Sequence, residues 1–235
     1  MDNKPDHGNR GHAEFSPSSL KYVAACAGYV GRSGTNAAAE KGTRIHEALE
    51  VKDPSALHDE SEHEIYEAIV SDEDAYLASF SNGKAYEEFN EIQVDIKLDG
   101  TGTWGTCDKF VKIGSRAVMI DYKTGISKID EPRENWQAMA YTVGAFQAHE
   151  EVDEIDFVFF IPVRNETLTG LFKREELPDL IKKLSKAIKR GEKIRPQWEN
   201  GAPSIYELNP TVNCRFCTHE DICPALGGLA VEVAS

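Results

Sequence analysis

The sequence predicts an α/β fold, a β-sheet with helices on its faces. Three observations carry that reading. Short β-rich runs, "EIQVDIKL", "TWGTCDKFVKI" and "AVMIDYKTG", follow one another across the turn signals "DGTG" and "GS", the pattern of an antiparallel meander. Stretches with helical spacing flank them, "TNAAAEKGTRIHEALEV" before and "NWQAMAYTVGAFQAH" and "EELPDLIKKLSKAIKR" after. Between the last two helices "IDFVFFIPV" reads as a buried strand, with "LTGLF" as its partner. Helix, three strands, helix, strand and helix in that order imply a layered α/β arrangement.

Taken in order, residues 1–12, "MDNKPDHGNRGH", are polar and lack the apolar segment of a signal peptide. They read as a disordered lead-in, and residues 13–235 as one domain in the cytoplasm. "SPSSLKYVAACAGYV" opens with Ser and Pro, which predicts a capped helix from about Ser18. The next helical stretch carries Gly42, which weakens its middle. Residues 53–90 read as an acidic, mainly helical insertion with turn signals at "DPS" and "SNG". Apolar content of 40% is enough for a core, and no apolar run approaches the length of a membrane span.

The net charge of −14 argues against indiscriminate nucleic-acid binding. The charge is unevenly spread. From Asp53 to Glu91 there are twelve acidic residues against Lys84 alone, whereas Lys182 to Arg195 holds seven basic residues against Glu192 alone. That second run, with Lys186, Lys189 and Arg190, is either a solvated helix face or a phosphate-binding strip.

In "AVMIDYKTG", Asp121 and Lys123 are two apart and so share one strand face. Burying such charge is costly unless it is paired or used. Asp108 lies on the preceding strand, and adjacent antiparallel strands can bring both carboxylates to one edge of the sheet. Two close carboxylates call for a divalent cation, with Lys123 beside it to hold a phosphate or a water. That set suits metal-assisted phosphodiester hydrolysis; the competing reading is a surface ion pair.

Glu91, "GTCD" with Asp108, "IDYK" with Asp121 and Lys123, and "QAMAY" with Gln137 and Tyr141 stand in that order. The series resembles the RecB-like branch of the PD-(D/E)XK nucleases, which carry Gly-x-x-Asp, Asp-Tyr-Lys and a helical Gln-x-x-x-Tyr. Upstream, "AAEKGTRIHEALE" is similar to that family's helix bearing a metal-binding His, which falls on His46. The resemblance implies a restriction-endonuclease-like core with a mixed central sheet. It implies that His46, Asp108 and Asp121, with the backbone carbonyl of Tyr122, hold Mg²⁺ or Mn²⁺. Lys123 then orients the water or stabilises the pentavalent phosphate, and Glu91 adds a carboxylate. Gln137 and Tyr141, i and i+4 on one helix face, can reach a single target, the DNA. Imidazole favours Mn²⁺ over Mg²⁺. Cys107 stands where the superfamily often has Pro, and reads as a buried strand residue.

Three further cysteines crowd into "NCRFCTHEDICPAL" as Cys214, Cys217 and Cys223, and Cys26 is the candidate fourth ligand. By spacing alone they could hold zinc or an iron–sulfur cluster. CRISPR adaptation nucleases and AddB-type nucleases place one Cys before the catalytic His and three near the C-terminus. That resemblance implies a 4Fe–4S cluster joining a C-terminal segment, about 208–226, to the N-terminal helix. The nearest form is a phage-associated branch encoded among DNA replication and recombination functions, with proteins of those processes as partners and the bacterial cytoplasm as location. The expected activity is exonucleolytic, on DNA ends or single strands, without membrane involvement. A structure-specific endonuclease and a non-catalytic nucleic-acid-binding protein are the alternatives.

Overall fold

The computed structural model describes residues 13–227, and the lead-in expected over residues 1–12 lies outside them. Five strands form one sheet in sequence order: β1 (Glu87–Leu98), β2 (Thr101–Ile113), β3 (Arg116–Tyr122), β4 (Glu154–Ile161) and β5 (Glu166–Lys173). The first three make an antiparallel meander, β3 and β4 are parallel, and β4 and β5 are antiparallel. The sheet is therefore mixed. Its parallel pair needs a crossover, which α4 (Trp136–Ala148) supplies.

Helices cover both faces. The α1 (Leu20–Ala25), α4 and α5 (Leu177–Ile194) helices lie on one, and α2 (Ala37–Val51) and α3 (Glu60–Ser81) on the other. Strand alternation explains why β3 and β4 read as unbroken apolar runs. Ala117, Met119, Phe157 and Phe159 pack with Phe146 and Leu184 on the first face. Val118, Ile120, Val158 and Phe160 pack with Ile45, Ile69 and Leu77 on the second. The helix expected from about Ser18 is a 3-10 turn over Pro17–Ser19 that runs into α1.

The acidic segment is no decoration. It holds α3 and the start of β1, and α3 closes the second core. Glu62, Ile69, Glu73 and Leu77 are buried along one face of this helix, so carboxylates stand at half of these four inward positions and hide the apolar stripe. Both acids are paired. Glu62 meets Arg44 at 2.5 Å, and Glu73 binds the Lys109 ammonium and the Tyr122 hydroxyl.

Beyond α5 the chain returns to the end of α1 through short 3-10 turns. Gly31 and Cys217 form an isolated antiparallel bridge, and the Thr218 N–H donates to the Val30 carbonyl at 2.8 Å. No helix among the described residues is long and apolar enough to cross a membrane.

Candidate active site

The sheet register lines up three carboxylates. In the β1–β2 ladder Asn90 pairs with Lys109 and Ile92 with Cys107, which sets Glu91 opposite Asp108. In the β2–β3 ladder Lys109 pairs with Ile120, and one step further along that register Asp108 faces Asp121. There the backbone ladder has ended: the Tyr122 N–H donates to Asp108 Oδ2 at 2.7 Å. Glu91 has a left-handed backbone, φ 48°, which costs a residue with a Cβ roughly 1–2 kcal/mol.

His46 enters from α2. Its Nδ1 lies 3.1 Å from Asp108 Oδ1, and its ring stands edge-on to Tyr122 with centroids 5.9 Å apart. One ligand atom each from His46, Glu91 and Asp108 falls within 4.8 Å of the others. Beside them a second group closes on itself. Lys123 Nζ lies 2.5 Å from Asp121 Oδ1 and donates to Gln137 Oε1 at 2.9 Å, while Gln137 Nε2 donates to Asp121 Oδ2 at 2.6 Å. Lys123 thus faces one Asp121 oxygen and Gln137 the other.

These neighbours pull the titrating groups apart. Burial works against a charged His46, yet Asp108, then Asp121 and Glu91, push it up to about 9. Burial would also raise Asp108, but His46, the Tyr122 N–H and Lys123 hold it below the usual carboxylate range. Asp121 goes the other way: burial and the neighbouring Asp108 raise it despite Lys123. Two facing carboxylates thus have opposite tendencies, and a cation placed between them favours the ionised form of both.

The site opens into a cleft of about 400 Å³, lined by His46, Glu91, Asp108, Gln137 and Tyr141 together with Trp104, Ser16 and Ser18. Two glycines shape it. A Cβ on Gly42, in the middle of α2, would come within 3.1 Å of Thr124 Oγ1, just past the end of β3. A Cβ on Gly105 would meet the Tyr141 hydroxyl and Pro17 Cδ at 2.9 Å each. That close approach lets Tyr141 donate to the Thr106 carbonyl at 2.6 Å, so "GTCD" and "QAMAY" are physically one unit. Trp104 shares a β2 face with Asp108, a signal present in the alternation, yet a lone Trp two strand steps from the motif carried no chemistry of its own. Ser16 and Ser18 reach the cleft through tertiary folding alone.

The remaining candidates divide. Gln137 and Tyr141 line the cleft but also hold Asp121, Lys123 and β2 in place. Lys186, Lys189 and Arg190 are exposed on α5 and line none of this cleft. Lys189 lies against the β1–β2 turn at Gly100, which is roughly 23 Å along β2 from Asp108 at the usual strand rise. Cys107 is fully buried, as a strand residue should be.

The other four cysteines line one small cavity together with Trp198 and His219, whose rings stack at 4.2 Å. None of the five is in a disulfide. Backbone N–H groups point at two of the sulfurs, Asn209 to Cys26 at 3.5 Å and Thr211 to Cys214 at 3.3 Å. Among the described residues no three sulfurs come within 4.8 Å of one another.

A search of curated proteins by sequence finds no match. Distant likenesses exist among solved structures. SSO0001 is 15% identical over 88% of this chain and 84% of its own, with a TM-score of 0.33. A candidate exonuclease from Eubacterium rectale is 12% identical over 71% and 70%, at 0.45. The alkaline exonuclease of Laribacter hongkongensis is 13% identical over 78% and 90%, at 0.34. The family model of the PD-(D/E)XK nucleases matches residues 14–224, a span that includes β1–β5, α1–α5 and the carboxylate cluster, and by that match the chain belongs to the PD-(D/E)XK nuclease superfamily.

Proposed function

We propose that this protein is a metal-dependent deoxyribonuclease that removes nucleotides from DNA ends or single strands. The observation that carries the reading is the convergence of His46, Glu91 and Asp108 on one cleft, with the Asp121–Lys123 pair joined to it through Gln137. The donor set fits a hard divalent cation: carboxylate oxygens suit Mg²⁺ and Mn²⁺, and the imidazole tilts the choice toward Mn²⁺. The buried Asp121 carboxylate, held by Lys123 and Gln137, offers one more oxygen. His46, Glu91, Asp108 and Asp121 would hold the ion, with the Tyr122 carbonyl as a further donor. When bound, the ion polarises the scissile phosphate and lowers the pKa of the attacking water.

The protein's own groups do the positioning. Asp108 is fixed from two sides, by His46 and by the Tyr122 N–H. Gln137 bridges Asp121 and Lys123, which keeps the ammonium facing the cleft. There Lys123 stabilises the negative charge that builds on the phosphate oxygens, an effect typically worth about 3–4 kcal/mol in such preorganised sites. The cleft is within the range that holds a drug-sized ligand, which suits one or two nucleotides better than a duplex and supports an action on ends or single strands.

The four-cysteine cavity supports a second cofactor. A single zinc draws its thiolates to within about 4 Å of one another, given a Zn–S distance near 2.3 Å. Four thiols round one cavity, two of them facing backbone N–H donors, fit a 4Fe–4S cluster, whose sulfurs such donors stabilise. Cys26, Cys214, Cys217 and Cys223 would ligate it and join the chain ends. Such a cluster would support a kinship with the phage-associated and CRISPR adaptation nucleases, and with it a role in replication, recombination or repair inside a bacterial cell.

End-labelled linear DNA and covalently closed circular DNA, incubated with Mg²⁺ or Mn²⁺ and read on a gel, test the activity. Linear strands should be degraded and closed circles spared. Nicking of the circles would show an endonuclease, and no cleavage of either with both metals would overturn the reading.

A further inference from the structure

We propose that a single DNA strand runs from the active cleft across the N-terminal segment, in a groove that passes Tyr22 and ends at Arg32. This rests on the nuclease reading above and names the path of its substrate. The groove has a volume of about 980 Å³ and shares Ser16, Ser18 and Ala39 with the cleft, so the two are one continuous depression. Whatever enters the cleft at Trp104 has an open way out past Ser18.

The walls of that way are built for a polyanion with flat bases. The Tyr22 ring stacks on the buried Tyr29, with centroids 4.8 Å apart and planes 17° from parallel. Phe216 stands edge-on to it at 6.3 Å and is itself 43% exposed. A half-buried tyrosine braced by two rings is a rigid platform, and base stacking on such platforms is tolerant of sequence. The Lys21 ammonium lies over the same ring at 4.8 Å. As a flexible cation it can yield that face to a base and meet a phosphate instead.

At the far end the Arg32 side chain is 52% exposed. Its guanidinium donates to the Cys217 carbonyl at 3.2 Å and to Glu220 at 2.7 Å, which orients the fork and leaves further N–H donors for a phosphate. Glu14 and Glu199 also line the groove, and their repulsion steers phosphates toward Lys21 and Arg32. Lys186, Lys189 and Arg190 on α5, by contrast, line neither the cleft nor the groove. Cleft and groove together suit about four to six nucleotides, at the low end of single-strand site sizes.

Two measurements on the full-length protein test the path. The first is fluorescence anisotropy of labelled oligothymidylates of two to twelve nucleotides, in EDTA so that no cleavage occurs. Wild-type affinity should rise with length up to about six nucleotides and then level off. Tyr22→Leu and Arg32→Gln should each flatten that rise, weakening the six-mer by about tenfold. An affinity that does not strengthen between two and six nucleotides would overturn the proposal, as would variants that keep the full rise. The second needs no variant. Oligonucleotides carrying one 5-iodouracil at successive positions are crosslinked to wild-type protein and the peptides mapped. Crosslinks should move from Trp104 to Tyr22 as the modified base moves away from the cut end, and crosslinks confined to α5 would overturn the path. Because neither measurement needs turnover, a protein that crosslinks in this order yet cuts nothing with Mn²⁺ would keep the path and remove the nuclease reading.

Discussion

Replacing Asp121 by Asn separates the cost of building the site from its use. The side chain keeps its shape and can still accept from Gln137, but loses its charge. Three electrostatic effects change together. Repulsion from Asp108, at the spacing of about 5 Å between opposed residues, amounts to about 3 kcal/mol at an effective dielectric near 20. The attraction of Lys123, 2.5 Å away, is about twice that on the same scale. Desolvating a carboxylate that is only 3% exposed costs several kcal/mol and offsets most of the attraction. The sum is small, so Asp121→Asn should change metal-free stability by no more than about 1–2 kcal/mol, or a few degrees in Tm for a chain of this size. Metal should then tell the two proteins apart. At a hundredfold excess over Kd a bound ion adds about 2.7 kcal/mol, so wild-type Tm should rise by roughly 5–10 °C and the variant's should hardly move. Turnover should fall on the order of a hundred- to a thousandfold. Differential scanning fluorimetry in EDTA and in excess MnCl₂, with cleavage of labelled DNA on the same preparations, gives all three readings. A variant that keeps both the Mn²⁺-induced shift and a tenth or more of the activity would refute the assignment of Asp121.

Three other perturbations probe parts of the molecule that this one leaves alone. Glu73→Ala strands the buried Lys109 with Glu88 as its remaining partner at 3.2 Å and should cost about 3 kcal/mol. The pair Glu73→Leu with Lys109→Met should recover most of that in urea unfolding, and a single variant within about 0.5 kcal/mol of wild type would deny the pair its structural role. Protein purified without oxygen should be brown and contain iron and sulfide; Cys26→Ser should bleach it and lower its Tm, whereas Cys107→Ser should do neither. Stoichiometric zinc in colourless protein would replace the cluster. Neutralising Lys186, Lys189 and Arg190 together should lower the logarithmic salt slope for long DNA by about 2–3 and leave oligomers of six or fewer nucleotides unaffected, since the row lies far from Asp108. An unchanged slope would make it a solvated face.

Much of the fold could be read from the sequence because two periodicities were clean. The meander β1–β3 announced itself through "DGTG" and "GS", and β4 through an apolar run that only a strand covered on both faces tolerates. Asp108, Asp121 and Lys123 were legible for the same reason: strand alternation fixes which side chains share a face, so a motif two residues long already specifies a direction. The role of α3 was not legible. Two of its inward positions are carboxylates, and their partners Arg44 and Lys109 lie on α2 and β2, so no local pattern could tell a buried ion pair from an acidic surface. The left-handed backbone of Glu91 left no trace either, because a Glu in that conformation is held by its surroundings and has no signature like that of glycine. The cleft's Ser16 and Ser18 come from a segment that meets β2 only through tertiary contacts, Pro17 against Gly105 and the Phe15 carbonyl accepting from the Thr103 hydroxyl at 2.6 Å.

The three strands bring their acids together at the point where the sheet stops pairing. Within a regular ladder, the Tyr122 N–H would donate to a backbone carbonyl of β2. Past Lys109–Ile120 the Tyr122 N–H takes the Asp108 carboxylate as its acceptor, and the Lys123 N–H is taken by Phe160 of β4 at 2.9 Å. The strand that carries Asp121 is thus pinned to β4 on one side and to a side chain on the other. Tyr122, between Asp121 and Lys123, is anchored a third time through its hydroxyl to Glu73 of α3. A backbone fixed at three points can hold Asp121 and Lys123 against the cleft-lining Gln137 despite their own electrostatic preferences, as the proposed site requires. The acid-rich helix that looked detached from the chemistry in the sequence is therefore one of its supports: it covers the second core, and its inward carboxylate holds the tyrosine at the centre of the Asp-Tyr-Lys motif.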